Sequence, residues 1–392
     1  MPGRLQAVSA RADDRLVSND RAPVRVTHLI HDLRSGGAEH VLVDLASIAA
    51  EEGMAMSVVS MRPLARFRYA KQLHDSGVRV ESLELGAWWD PRGTARLRRL
   101  LPELRPDVLH SHLKHADVVA GRVAKAASIP HVSTLHMIED SVGWFAARKR
   151  DFAMRSRLRT ARRTIAVSDA VRDWYLDASG ADPGSVVTVH NGVPDAGNFD
   201  DVEVAAARAE FGVADDTVLA VMVAVMRPGK GHDVLFDALP HLAKGRVEFL
   251  LVGDGPELGR LQERAAGRAD VVFTGFRDDV ARLLAAADFV VHPSLGDALP
   301  TALVHALAAG RPIVASAVGG IPEIVPVDAG ELIARGSPRA LAAAIDRVAA
   351  DAVGRGRMGK RARDRYDEEF SATMWARRLH AVYAALLGRG AH

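Results

Sequence analysis

Val218-Leu219-Ala220-Val221-Met222-Val223-Ala224-Val225-Met226 is nine apolar residues without a polar interruption, followed at once by Arg227-Pro228-Gly229-Lys230-Gly231. A strand with one wet face alternates; a run apolar at every position predicts a strand buried on both faces, central in a parallel sheet covered by helices. Two cations and two glycines at the carboxyl end of such a strand suit an anion with about two negative charges, such as a diphosphate. Arg supplies a planar fork and Lys a compact charge. The spacing departs from the P-loop pattern, which disfavours an ordinary nucleoside triphosphatase. Basic residues in a polar surface turn are the plain alternative.

On both sides of this stretch the chain alternates strand and helix. Toward the N-terminus, strands are predicted at Val24–Leu33, Met54–Met61, Val78–Leu85, Val108–His112, His131–His136, Thr164–Val167 and Val186–His190. Ser35-Gly36-Gly37 follows the first, then an amphipathic helix from Ala38 to Glu52. After the turn-rich His190–Asp195 the alternation restarts, with strands at Val218–Met226, Glu248–Gly253, Val271–Thr274, Phe289–His292 and Ile313–Ala315. This predicts an α/β protein of two doubly wound parallel-sheet units, Rossmann-like and facing each other across a cleft. Ligands in such sheets sit beyond the carboxyl ends of strands, so the strand-to-helix loops are the places to search. The expected division is a disordered tail over 1–23, an N-terminal Rossmann-like domain over 24–195, a C-terminal Rossmann-like domain over 196–371, and 372–392 as a helix packing back on the first domain. Trp375, Leu379, Val382, Tyr383 and Leu386 supply its helical spacing.

Length and composition agree. A chain of 392 residues with 48% hydrophobic and 26% charged residues is long enough for two cores. No apolar run approaches the roughly 20 residues that span a bilayer. The polar start of the chain lacks the apolar segment of a signal peptide. Without cysteine, thiolate nucleophiles, disulfides and cysteine-ligated zinc are excluded. A cytoplasmic location follows as the expectation. The net charge of +2 divides into +4 over residues 1–200 and −2 over the rest. The excess sits in Arg148–Arg163, where eight basic residues accompany one acid, Asp151. Such a cluster is either a solvated helix face or a contact for an anionic surface, with peripheral attachment to the inner membrane face as its functional form. It has no aromatic interleaving beyond Phe152 and no nucleic-acid-binding module around it, so no nucleic-acid partner is expected.

A second motif begins where the strand Phe289–His292 ends: Pro293-Ser294-Leu295-Gly296-Asp297-Ala298-Leu299-Pro300-Thr301-Ala302-Leu303-Val304-His305. A proline at a helix start loses no needed hydrogen bond. The free N–H groups of Thr301 and Ala302 would then form an anion site at the positive end of the helix. Asp297 precedes that end and can accept from ligand hydroxyls. His305 lies a turn further in, as a ligand contact or as a packing histidine.

Those two motifs belong to a longer succession: Leu251-Val252-Gly253-Asp254-Gly255-Pro256, Thr274-Gly275-Phe276, Ala308-Ala309-Gly310-Arg311-Pro312 and Gly319-Gly320-Ile321-Pro322-Glu323. With Gly36-Gly37-Ala38-Glu39, His110-Ser111-His112, Thr134-Leu135-His136, Ala166-Val167-Ser168 and Asn191-Gly192-Val193 in the first half, the chain from about 24 to 387 resembles the retaining glycosyltransferases of family 4, group 1, with the GT-B fold. The resemblance implies a nucleoside-diphosphate sugar, UDP- or GDP-linked, as substrate, a hydroxyl acceptor, and no cofactor. Arg227 and Lys230 would neutralise the departing diphosphate with help from Thr301 and Ala302. Gly275, Phe276 and the backbone of Arg277 would border the base, and Leu299 would line the nucleotide site. Gly36 and Gly37 would let the backbone approach the diphosphate, and His136 would stand at the face of the sugar. His112, Trp88 and Trp89 are acceptor-side candidates, though the tryptophan pair reads first as a loop anchored in the core and second as an aromatic platform for a sugar or lipid.

The family's two glutamates, seven residues apart, map onto Asp297 and His305, and both differ. Asp297 keeps the carboxylate with a shorter reach. His305 replaces an acceptor for the ribose hydroxyls, and a neutral imidazole cannot chelate a diol. A sugar-nucleotide epimerase on the same architecture, or a degenerate binding protein, are the competing readings. His110-x-His112-xx-His115 is read as core or cleft-lining histidines, the first two on opposite strand faces, and no metal site is expected. No Asp-x-Asp pair follows an apolar strand, so no catalytic divalent ion is expected. Gly253-x-Gly255 lacks the third glycine of a dinucleotide fingerprint.

Overall fold

The structure is a computed structural model, describing residues 22–34, 36–64, 68–86, 90, 92–139, 143–214, 216–243 and 247–389. Residues 1–21 of the expected tail, Ser35, and the pair Trp88 and Trp89 lie outside the described residues.

Two all-parallel sheets carry the fold. The first has seven strands: β1 (Val24–Ile30), β2 (Met54–Ser60), β3 (Arg79–Ser82), β4 (Val108–His112), β5 (His131–Leu135), β6 (Arg163–Ala166) and β7 (Val186–Thr188). The second has six: β8 (Val218–Val223), β9 (Val247–Val252), β10 (Val271–Gly275), β11 (Phe289–His292), β12 (Ile313–Ser316) and β13 (Gly330–Ile333). Their orders are β3-β2-β1-β4-β5-β6-β7 and β10-β9-β8-β11-β12-β13. In each sheet the order reverses beside the first strand, between β1 and β4 and between β8 and β11. A crevice opens at that reversal. It receives the loops carrying Gly36-Gly37, His112, Arg227–Gly231 and Asp297.

The nine-residue apolar run is a six-residue strand plus a turn. Leu219, Ala220, Val221 and Met222 are buried. Beyond Val223 the chain leaves the sheet, with Val225 exposed and Met226 N–H donating to the Asp254 carbonyl at 2.7 Å. Apolar content therefore overstated the strand. The helix predicted over Ala38–Glu52 is Gly37–Ala46, and the strand predicted through His190 ends at Thr188. β13 went unread: Gly330-Glu331-Leu332-Ile333 is short and amphipathic, and pairing with β12 rather than local pattern makes it a strand.

The C-terminal helix Ala372–Leu386 packs its Trp375, Leu379 and Tyr383 against Val24, Val26, Val108 and Ile165 of the first sheet. The chain re-enters that unit through a parallel bridge between Val193 and Ser371. Gly192 is needed there, since a Cβ would meet the Ser371 carbonyl oxygen at 2.5 Å. Across the boundary, Glu323 Oε2 accepts from the Asp169 N–H at 2.7 Å and Oε1 from the Ala170 N–H at 3.0 Å. A carboxylate of the second unit thus satisfies free N–H groups that open the helix Asp169–Ser179 of the first.

Candidate functional site

On the C-terminal side, the loop after β8 and the loop after β11 meet. Gly231, with φ of +86°, lies so close to the Pro293 carbonyl that a Cβ would stand 2.0 Å from its oxygen. The Leu295 N–H donates to the Gly229 carbonyl at 2.8 Å. Held in that way, Lys230 Nζ donates to Asp297 Oδ2 at 2.7 Å, and His292 Nε2 lies 3.1 Å from the same oxygen. Burial raises the Asp297 carboxyl, but the His292 hydrogen bond and the Lys230 charge outweigh it and hold the group well below the carboxylate range. Asp297 is therefore an anion whose charge Lys230 balances.

The helix Thr301–Ala308 starts directly behind, with Thr301 and Ala302 half-buried in its first turn and Leu299 buried before it. Arg227 is exposed at the rim, and its guanidinium makes no bond among the described residues. Gly275 closes β10 with φ of +67°. The ring of Phe276 is exposed and carries the Arg68 guanidinium 4.7 Å above it, while Arg68 also pairs with Asp278 across the cleft. The Arg277 side chain is occupied by Asp279 and Glu210, both at 2.8 Å, so only its backbone remains for a ligand.

On the N-terminal side, Gly36 precedes the helix Gly37–Ala46, and a Cβ on Gly36 would meet Glu39 Oε2 at 2.1 Å. Gly37 faces open space. Burial pushes the Glu39 carboxyl up to about 7. At the ends of β1, β4 and β5 a histidine chain runs toward the cleft. His28 Nδ1 is 2.9 Å from His112 Nε2, and His112 Nδ1 is 2.8 Å from His136 Nε2. Burial pushes His28 down to about 3 and His136 to about 4, so the chain consists of neutral imidazoles with one N–H each.

The reading of His110 and His112 as opposed is corrected. Residues two apart on a strand share a face, and the two rings lie 4.3 Å apart. His110 instead bonds Tyr383 Oη and Thr134 Oγ1, each at 2.6 Å. His305 turns toward the first unit, its ring 6.1 Å from that of His40, and burial pushes it down to about 3. The basic cluster is also not one face. Arg157 is buried, pairs with Asp117 and donates from Nε to Ser133 Oγ at 2.9 Å. Sequence reading missed His28, His292 and Glu323 as participants. His292, the last residue of an apolar strand before the Asp297 loop, carried the available signal.

The same architecture recurs in solved structures. Anabaena HepE, determined with UDP and glucose, superposes with a TM-score of 0.82 at 23% identity, covering 92% of this chain and 100% of that one. Sucrose-phosphate synthase of Thermosynechococcus elongatus superposes at 0.76 and 19% identity, over 93% of this chain and 100% of that one. Two facing Rossmann-like domains of this kind define the GT-B fold.

In sequence, the family described as glycosyl transferases group 1 matches residues 217–351, and Glycosyltransferase Family 4 matches 35–196. Phosphatidyl-myo-inositol mannosyltransferase of Mycobacterium leprae is 32% identical over 66% of this chain and 68% of its own. D-inositol 3-phosphate glycosyltransferase of Kineococcus radiotolerans is 27% identical over 84% and 86%. The chain belongs to the group 1, family 4 glycosyltransferases.

Proposed function

We propose that the enzyme transfers a sugar, a hexose or N-acetylhexosamine, from a UDP- or GDP-linked donor to an acceptor hydroxyl with retention of configuration and without a catalytic metal. The observation that carries this is the junction of Lys230 and Asp297 at the reversal of the second sheet, beside the first turn of the helix Thr301–Ala308. The anomeric carbon–oxygen bond to the diphosphate breaks as the bond to the acceptor oxygen forms on the same face. The acceptor proton passes to the leaving diphosphate oxygen. Lys230, Arg227 and the N–H groups of Thr301 and Ala302 offset the charge that builds there. Asp297 then receives sugar hydroxyls, Gly36 and Gly37 admit the diphosphate, and Gly275, Phe276 and the Arg277 backbone border the base. His136 sits at the sugar face, with His112 behind it.

The neighbour solved with UDP and glucose supports a nucleotide-sugar donor. Relatives named for phosphatidyl-myo-inositol and inositol 3-phosphate support a polyol or lipid-linked acceptor. Exposed Trp144 and Phe152 on the helix Trp144–Thr160, among its surface arginines, favour peripheral contact with anionic membrane. No helix among the described residues is long and apolar enough to cross a membrane.

The test is a thermal-shift screen against UDP, GDP, ADP and their sugars, since a specific ligand raises apparent stability by mass action. Turnover of Arg227→Ala and Lys230→Ala follows, each expected to fall by about 10²-fold or more. Near-normal turnover in both overturns the assignment. Isomerised sugar from donor alone would favour the epimerase reading.

A further inference from the structure

We propose that His40, Asp44 and His305 form a site for a divalent transition-metal ion of the zinc class that clasps the two domains together. His40 and Asp44 are one turn apart on the helix Gly37–Ala46 and so share a face. His40 Nε2 lies 3.6 Å from Asp44 Oδ1. Zinc bonds of about 2.0–2.2 Å at a tetrahedral angle place neighbouring ligand atoms about 3.4 Å apart, so these two already stand at ligand spacing. His305 comes from the other domain, on the helix Thr301–Ala308, and one donor atom from each residue falls within 4.8 Å of the other two. Rotation of the three side chains toward one another closes the separations of up to 4.8 Å to that spacing.

The chemistry of the group favours an ion over a packing contact. Asp44 Oδ2, the second oxygen of the carboxylate, is buried without a hydrogen-bond partner, and an ion bound at this carboxylate would supply one. Two imidazoles and one carboxylate are a donor set for zinc or its neighbours; calcium and magnesium take oxygen ligands. The other histidine group, His28, His110 and His112, makes the contrast. Its members bond one another, Thr134 and Tyr383, and it has no carboxylate to balance an ion's charge.

Three protein ligands leave a fourth position for water. The helix bearing His40 and Asp44 starts at Gly36-Gly37, and His305 follows the Asp297 loop, so the ion would tie together the two walls of the cleft. It acts as a clasp beside the transfer chemistry and takes no part in it. The site rests on His305 occupying a position where the family pattern has glutamate, and does not depend on which donor is used.

The test is titration of the full chain with Zn²⁺ by calorimetry and with Co²⁺ by visible absorption. One ion per chain is expected, with the intense d–d bands of a four-coordinate site. His305→Gln and Asp44→Asn should each weaken binding at least tenfold, as loss of a direct ligand requires more than a supporting one. Thermal melts of the metal-free variants establish that they are folded. Should either unfold, the Zn²⁺-induced rise in the melting temperature of the wild type, compared with that of His28→Gln, decides instead; His28→Gln should retain it. Absence of binding overturns the proposal, as does equal binding by folded His305→Gln, or loss of binding in His28→Gln alone.

Discussion

His190 and Glu323 face each other across the domain boundary, with His190 Nε2 2.8 Å from Glu323 Oε2. The same carboxylate receives the N–H groups of Asp169 and Ala170, so one side chain joins the return loop after β7 to a helix start. Burial raises the Glu323 carboxyl, but the His190 bond and the two N–H donors outweigh it, leaving it below its ordinary 4.5. An acid lowered on folding stabilises above its unfolded value and loses that contribution as pH falls through the folded one. Glu323→Ala should therefore lower stability by about 2–3 kcal/mol at neutral pH, the scale of hydrogen bonds to a charged group. The deficit relative to wild type should shrink below about pH 4. Chemical denaturation at pH 7 and pH 3.5 measures both; an equal deficit at both values contradicts the assignment.

Glu39 has the opposite sign. Its carboxyl is pushed up to about 7 by burial, with the Asp32 charge contributing. The folded state holds a proton that the unfolded chain releases near 4.5, so the stability this confers is full below that value and lost as pH rises toward 7. Glu39→Gln keeps the shape without the charge. Its melting temperature should match wild type at pH 4 and exceed it at pH 8, by a free energy of up to about 3 kcal/mol. Thermal melts at the two pH values check the sign.

Gly231 is irreplaceable on two counts. Its φ of +86° is costly for any residue with a Cβ, by about 1–2 kcal/mol. The added atom would also lie 2.0 Å from the Pro293 carbonyl oxygen, so the loops after β8 and β11 must separate. Gly231→Ala should lose about 3 kcal/mol and displace Lys230 from Asp297, weakening nucleotide affinity by more than tenfold. Gly229, also at positive φ but with open space around it, should lose only the backbone part when changed to alanine. Calorimetry with UDP and GDP on the two variants separates strain from collision.

The positions of most strands and the loops that matter were legible because burial on both faces leaves a continuous apolar signature, as at Val218–Val223 and Phe289–His292, whereas the order of the strands in each sheet was not. β13 was not, since Gly330–Ile333 becomes a strand only through its partner β12. At the site, local motifs revealed Lys230 and Asp297 as separate candidates. Their bond, and the part His292 takes in it, joins residues 67 and 5 positions apart and depends on two loops meeting. The histidine chain needs tertiary contact to be seen: His110 and His112, two apart on one strand, share a face, and His28 stands 84 residues from its partner. Asp117 and Arg157 had no motif around them at all.

That last pair yields a prediction about the basic helix. Arg157 donates to Asp117 and Ser133, and Asp117 Oδ1 also accepts from Ser111 Oγ at 2.6 Å and Ser133 Oγ at 2.7 Å. Arg157→Leu leaves a buried carboxylate uncompensated and should cost about 3–5 kcal/mol. Arg148, whose guanidinium lies over the Trp144 ring at 4.9 Å, belongs to the outer surface instead. Arg148→Leu should leave stability within about 0.5 kcal/mol of wild type while reducing flotation with anionic liposomes. Denaturation and flotation on both variants test the division. A stability loss in Arg148→Leu, or flotation unaffected by it, would remove that arginine from the proposed membrane face.

The junction of Lys230 and Asp297 sets the final test. Lys230 is held by Asp297, whose carboxylate stays ionised because Lys230 and His292 both favour its charge. In the proposed function an incoming diphosphate has to compete with Asp297 for the ammonium group. Asp297→Asn removes that competitor and retains an acceptor oxygen for His292. The bare diphosphate should therefore bind severalfold more tightly to Asp297→Asn than to wild type, an effect that weakens with salt. Sugar transfer should fall, because Asn cannot offer the charged acceptor that the proposed sugar contact uses. Lys230→Ala should do the reverse, losing diphosphate affinity and about 2–4 kcal/mol of stability, as a carboxylate left largely unpaired in a mostly buried site requires. Titration with UDP or GDP alone, beside turnover on the full donor, distinguishes the two variants. Weaker diphosphate binding in Asp297→Asn would mean that this carboxylate orders Lys230 for the phosphate rather than competing for it.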